Sequence, residues 1–134
     1  MTIRSLAPAT TVGVLVFPGI VHQAIVTDSF DANGEQTVIS ASGGVGSVTE
    51  QPMNVFSGGR KIFILPELRG DLPHYVVVER ARERLGKPYR LFSHNCEHFV
   101  REVQGIPKRS PQLSLSLVIG CLALAFVISG KRAA

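Results

Sequence analysis

The stretch Asn95–Val100 reads NCEHFV and runs on through REVQ to Gly105 and Pro107. Its spacing predicts a helix that starts near Asn95 and ends at Gly105. Asn is a good start residue, glycine a good stop, and the proline beyond it cannot continue the turn. Phe99, Val100 and Val103 fall on one side of that helix and give it a core face. Cys96 falls in its first turn. Unpaired amide N–H groups and the positive end of the helix dipole gather there, and both favour a thiolate over a thiol. The helix therefore needs an apolar partner behind it and carries a candidate nucleophile at its front.

Upstream the chain supplies that partner. Asp71 is placed to cap a second helix running to about Leu85, with Pro73 in its first turn and Gly86 after it. Val77, Ala81 and Leu85 give it one apolar face, while Glu79, Arg80, Arg82, Glu83 and Arg84 read as a solvated one. Earlier still the period shortens. Val12–Phe17 and Val21–Thr27 read as strands with Pro18-Gly19 between them. Val38–Ala41 follows a polar loop that contains the hairpin dipeptide Asn33-Gly34. Arg60–Leu65 is a further strand. The Gly-rich segment Ser42–Ser47 is a loop, without the pattern of a phosphate cradle. Strands first and helices last predict a small α+β domain.

Charge places that domain. The 134 residues carry a net charge of +4, with 14 Lys and Arg against 10 Asp and Glu. The isoelectric point is near 9.5 and the mean hydropathy +0.22. That balance invites a nucleic-acid partner, but residues 1–107 are neutral. The surplus is Lys108, Arg109, Lys131 and Arg132. No nucleic-acid motif appears, and an absence of Trp with only two Tyr leaves little for base stacking. Between the basic pairs lies Leu113–Ser129, LSLSLVIGCLALAFVIS, uncharged throughout. As a helix at about 1.5 Å per residue it spans roughly 25 Å, close to a bilayer core of about 30 Å. A domain of this size would struggle to bury a helix apolar on every face. The sequence therefore predicts a domain over 1–107 and a single-pass C-terminal transmembrane helix within 108–134. Basic pairs flank both of its ends and leave the positive-inside rule balanced. Ser116 and Gly120 offer a small-residue contact for self-association through the span. The N-terminus lacks the features of a signal peptide, and Cys96 and Cys121 form no disulfide framework, so the domain is expected on the cytosolic side.

Cys96 is the one cysteine outside the span, and a nucleophilic cysteine needs a base. The histidines are His22, His74, His94 and His98. His22 lies mid-strand among apolar residues, an unusual place for a polar ring. His74 opens the second helix, exposed. His98 lies about 200° around the helix from Cys96 and points away from the thiol. The spacing of His94, Cys96 and His98 does not match the usual zinc patterns, and no cofactor or metal is called for.

NCEHFV resembles the signature of the lecithin retinol acyltransferase family, within the permuted papain-like, NlpC-type cysteine hydrolases. Gly19–Val26, GIVHQAIV, resembles the family's histidine box, in the correct order ahead of the cysteine. Phe56-Ser57-Gly58-Gly59 looks like bacterial members. The resemblance covers about residues 12–105. It implies a small antiparallel sheet against helices, Cys96 as nucleophile and His22 as general base, and Asn95 and His98 as supporting residues near the oxyanion. Relatives take an acyl chain from a glycerophospholipid, hold it as a thioester, and pass it to water, an amine or an alcohol. Phospholipid and membrane are thus the implied partners. One position departs from the pattern: where the family usually carries a second histidine on the next strand, this chain has Ser40, whose hydroxyl is expected to accept the Nδ1–H of His22. Two other readings stay open, a cysteine peptidase or amidase on the same scaffold and a non-catalytic membrane-tethered binding module.

Overall fold

The computed structural model describes residues 5–42, 47–88 and 96–107. Asn95, His94, the Gly-rich residues 43–46 and the whole of 108–134, with the Leu113–Ser129 segment, lie outside them. Among the described residues no helix is long and apolar enough to cross a bilayer.

Five strands form one antiparallel sheet in the order β4-β3-β2-β1-β5. They are β1 (Thr11–Phe17), β2 (Ile20–Phe30), β3 (Gln36–Ser42), β4 (Ser47–Pro52) and β5 (Ile62–Ile64). Among the described residues three helices accompany them, α1 (Met53–Ser57), α2 (His74–Glu83) and α3 (Cys96–Gln104), with a 3-10 turn at Pro66–Leu68. The expected α+β class and the order of strands before long helices both hold.

Each face of the sheet carries its own core. On one side Ile25, Ile39, Ala41 and Val48 meet Val77, Val78 and Ala81 of α2 and Phe99, Val100 and Val103 of α3. On the other, Val12, Val14, Ala24, Val26 and Val38 meet Met53 and Phe56 of α1. Burial on both faces explains why β1 and β2 read as nearly continuous apolar runs instead of alternating ones.

The β1–β2 hairpin turns at Pro18-Gly19, where Gly19 takes φ 80°, a left-handed backbone that favours glycine. The β2–β3 loop closes on Asp31, whose carboxylate accepts the amides of Asn33 and Glu35 at 2.8 and 2.9 Å. Asn33-Gly34 therefore sits inside a longer loop and not at a two-residue hairpin.

Two elements carry little sequence signal. β4, SVTEQP, pairs with β3 from Thr37↔Pro52 to Ser42↔Ser47 although only Val48 of it is buried. Its outer edge is covered by the chain leaving α2, since the Gly86 amide donates to the Val48 carbonyl at 2.9 Å and the Val48 amide to the Lys87 carbonyl at 3.1 Å. A covered edge leaves little template for pairing with another chain. α1 follows directly, its last turn closed by Gly58 in the left-handed region.

Helix α2 starts later than Asp71 predicts. Pro73 stands at the cap position with no side-chain cap bond. Arg69 holds the preceding segment as a loop by donating to the Gly70 and Leu72 carbonyls at 2.9 and 3.0 Å. At its other end the helix stops before Leu85, which is 38% exposed, and Val78 takes the core position instead.

Gln104 ties the layers together. Fully buried, it donates to the Ala9 carbonyl at 2.7 Å and to Thr11 Oγ1 at 3.1 Å. Its Oε1 accepts from Arg69 at 3.0 Å and from the Gly70 amide at 3.2 Å. A side chain at Gly70 would collide with the Gln104 backbone oxygen, so glycine is required there for close approach.

Candidate active site

β2 and β3 pair from Ile25↔Ile39 to Phe30↔Gln36. Cys96, the first residue of α3, meets β2 on the stretch that precedes this ladder. Its Sγ lies 3.6 Å from the Val21 carbonyl, to which the thiol donates. The Gln23 amide in turn donates to the sulfur. Val21 C=O and Gln23 N–H are two residues apart and point to the same side of the strand, as they would toward a pairing neighbour. The thiol occupies that neighbour's place.

Burial pushes the Cys96 thiol above its ordinary pKa. The Gln23 amide opposes that shift, the Glu97 carboxylate adds to it, and the first-turn amides of Glu97 and Cys96 pull weakly downward. This direction is opposite to the one expected of a helix start: desolvation outweighs the donors of the first turn.

His22 is the third residue of β2. The register pairs it with Val14 and groups it with Ala24 and Val26 on the α1 side of the sheet. Its ring packs on Phe56 of α1, centroids 4.9 Å apart and planes at 45°. Burial lowers its pKa, partly offset by a ring N–H donated to the Ala41 carbonyl. A neutral imidazole with one nitrogen committed to a carbonyl leaves the other unprotonated, the form a general base needs. Cys96 and His22 thus meet the same short run of β2, Cys96 through the backbone of Val21 and Gln23 and His22 as the residue between them. The thiol is bonded to the Val21 backbone and not to the imidazole.

The remaining expected residues divide. Ser40 is fully buried, and its Oγ has no hydrogen-bond partner among the described residues. The partner expected of it is supplied instead by the backbone of the next residue, Ala41. His98 lies 3.7 Å from Glu102 one turn on. Glu102 also pairs with Arg84, joining α3 to the end of α2. His74 is exposed at the start of α2, as expected. Asn95 is outside the described residues. Phe56 and the Ala41 carbonyl, the two groups that hold the His22 ring, were not singled out by the sequence. A carbonyl has no letter of its own, and a phenylalanine reads as core.

The family model for lecithin retinol acyltransferase matches residues 13–105. This chain belongs to the lecithin retinol acyltransferase family. It is a family of thiol enzymes, phospholipases and acyltransferases. Human phospholipase A and acyltransferase 2 is 30% identical over 119 residues, which cover 81% of this chain and 73% of that protein. The family match opens within β1 and closes at Gly105, just past α3. It therefore takes in both the β2 run and the helix that brings Cys96 to it.

Proposed function

We propose that this lecithin retinol acyltransferase family member is a membrane-anchored thiol enzyme that removes an acyl chain from a glycerophospholipid and passes it to water, an amine or an alcohol. The observation that carries the reading is the meeting of Cys96 Sγ with β2 at Val21 and Gln23, on either side of a neutral His22. The human relative named for phospholipase A and acyltransferase activity supports phospholipid as the substrate class.

The resting site holds a neutral thiol and a neutral imidazole, so attack requires a proton to move. As the ester carbonyl approaches, Cys96 S–H leaves the Val21 carbonyl and its proton goes to the free nitrogen of His22. The sulfur forms a bond to the ester carbon, and the charge gathers on the former carbonyl oxygen. Collapse of that intermediate breaks the bond to the glycerol oxygen, which takes the proton back from His22 and leaves as the lysophospholipid alcohol. The acyl group stays on Cys96 as a thioester. A second nucleophile gives its proton to His22, attacks the thioester and releases the thiol. The Ala41 carbonyl keeps the ring oriented by accepting from the same ring N–H before and after imidazolium forms, while the new N–H lies on the nitrogen that took the thiol proton. It does the work assigned elsewhere to a triad's third side chain, without adding a charge.

Anchoring by Leu113–Ser129, with the domain on the cytosolic side, keeps such an enzyme at the surface where its substrate lies. The test is release of labelled fatty acid or lysophospholipid from phosphatidylcholine vesicles by the full chain. Turnover by the wild type and none by Cys96→Ser is the expected result. No turnover by either, or cleavage of peptide substrates instead, contradicts the proposal.

A further inference from the structure

The end of the sheet that carries the candidate site also carries exposed apolar side chains with no cover among the described residues. Leu15 is 51% exposed and Phe17 49% exposed, at the close of β1. Pro18 and Gly19 at the turn are exposed as well. Leu15 pairs directly with Val21, the residue whose carbonyl holds the Cys96 thiol. It follows Thr11 and Gly13 in the strand alternation, on the face where Thr11 meets Gln104 of α3. The apolar tip therefore pairs with the same β2 residue whose backbone meets the sulfur.

Charge accompanies the tip. β5 pairs with β1 through Val14↔Ile62, and Arg60 and Lys61 immediately precede β5 where it runs beside the later part of β1. Both basic residues are exposed. A water-facing hairpin tip needs no leucine and phenylalanine in the open, and an isolated protein gains nothing by leaving them there. Apolar side chains next to lysine and arginine match one kind of partner, a bilayer surface with acyl chains below and anionic headgroups above.

We infer that the β1–β2 hairpin tip docks on a lipid bilayer, with Leu15 and Phe17 entering the interface and Arg60 and Lys61 meeting anionic headgroups. This places the end of β2 where Cys96 meets the strand toward the layer from which a phospholipid ester must come. The inference rests on the phospholipid reading of the site but concerns a surface separate from the C-terminal segment. That segment can tether the domain without orienting it; the hairpin tip fixes which end faces the membrane.

The chain has no tryptophan, so a single one is a unique fluorophore. Two variants of the full chain are compared, Phe17→Trp and Phe30→Trp. Phe30 is 52% exposed, as open as Phe17, but lies at the far end of β2. At about 3.3 Å per residue the two ends of that strand are roughly 33 Å apart. Each variant is mixed with vesicles of phosphatidylcholine containing phosphatidylserine, with and without brominated acyl chains. Expected is a blue shift and strong bromine quenching at position 17, with water-like, unquenched emission at position 30. Adding Arg60→Gln and Lys61→Gln is expected to weaken the position-17 signal. Equal quenching at both positions, or none at position 17, overturns the docking surface. Because the readout is independent of turnover, inactivity with intact position-17 quenching contradicts the catalytic reading alone.

Discussion

Burial shifts both Cys96 and His22 toward their uncharged forms and is the first cause in each case. This state differs from a preformed thiolate–imidazolium pair, and three measurements distinguish them. Alkylation of Cys96 by iodoacetamide, mapped by peptide mass to separate it from Cys121, is expected to be slower near neutral pH than that of an unburied cysteine. It should keep rising above the ordinary thiol pKa of about 8.5. Fast alkylation at pH 6 contradicts a neutral resting thiol. His22→Gln is expected to cut acyl transfer by about 10²–10⁴-fold, the usual share of a general base. Ser40→Ala is expected to stay within about threefold of wild type, because the ring is held by Ala41 and a lost contact is what such a ratio reads. Acid stability follows from the same shift. The folded pKa of His22 lies below the unfolded value of about 6.5, so stability from the neutral ring is full above that value. It is lost as pH falls through the folded value. The Tm gap between wild type and His22→Gln should therefore change in that window on acidification. Both residues proposed to react stand out in the sequence, Cys96 from its place in a helix's first turn and His22 from the odd position of a polar ring in a strand. The ring's true partner was not, since any residue at position 41 supplies a carbonyl.

Elements follow the same division. β1, β2 and α3 announce themselves through apolar runs and helical spacing, because their burial is large. β4 and α1 do not: β4 is held by backbone pairing to β3 and by the covering Gly86–Lys87 segment, and neither depends on its side chains. The start of α2 is likewise decided from a distance, by Arg69 binding the preceding loop and by Gln104 binding Arg69. Gln104 is the polar joint between α3, β1 and that loop. Replacing it with leucine leaves the Ala9 carbonyl and the Gly70 amide buried without a partner. Gln104→Leu is expected to lower unfolding free energy by about 2–3 kcal/mol in a denaturant titration. A change below about 0.5 kcal/mol, the range of ordinary surface substitutions, contradicts that role.

At the scale of the molecule, the proposed anchor and the proposed docking tip agree on one orientation. Residues 1–107 are neutral, the basic surplus brackets Leu113–Ser129, and the hairpin tip adds Leu15 and Phe17 at the end that holds the thiol. The anchor is tested by alkaline carbonate extraction of membranes carrying the full chain, which should leave it in the pellet. Val118→Asp with Leu122→Asp should move it to the supernatant, since an acidic residue at mid-span costs about 2.5–3.5 kcal/mol. Release of the unaltered chain contradicts a transmembrane helix. The central claim is chemical, and it is that Cys96 carries the acyl group between donor and acceptor. It is tested most directly by the intact mass of the full chain after brief incubation with a phospholipid of defined acyl chains. The account predicts one added acyl group, mapped to Cys96, removed by hydroxylamine and absent in Cys96→Ser. Lipid turnover without any adduct in rapidly quenched samples, or an adduct that persists in Cys96→Ser, would contradict it.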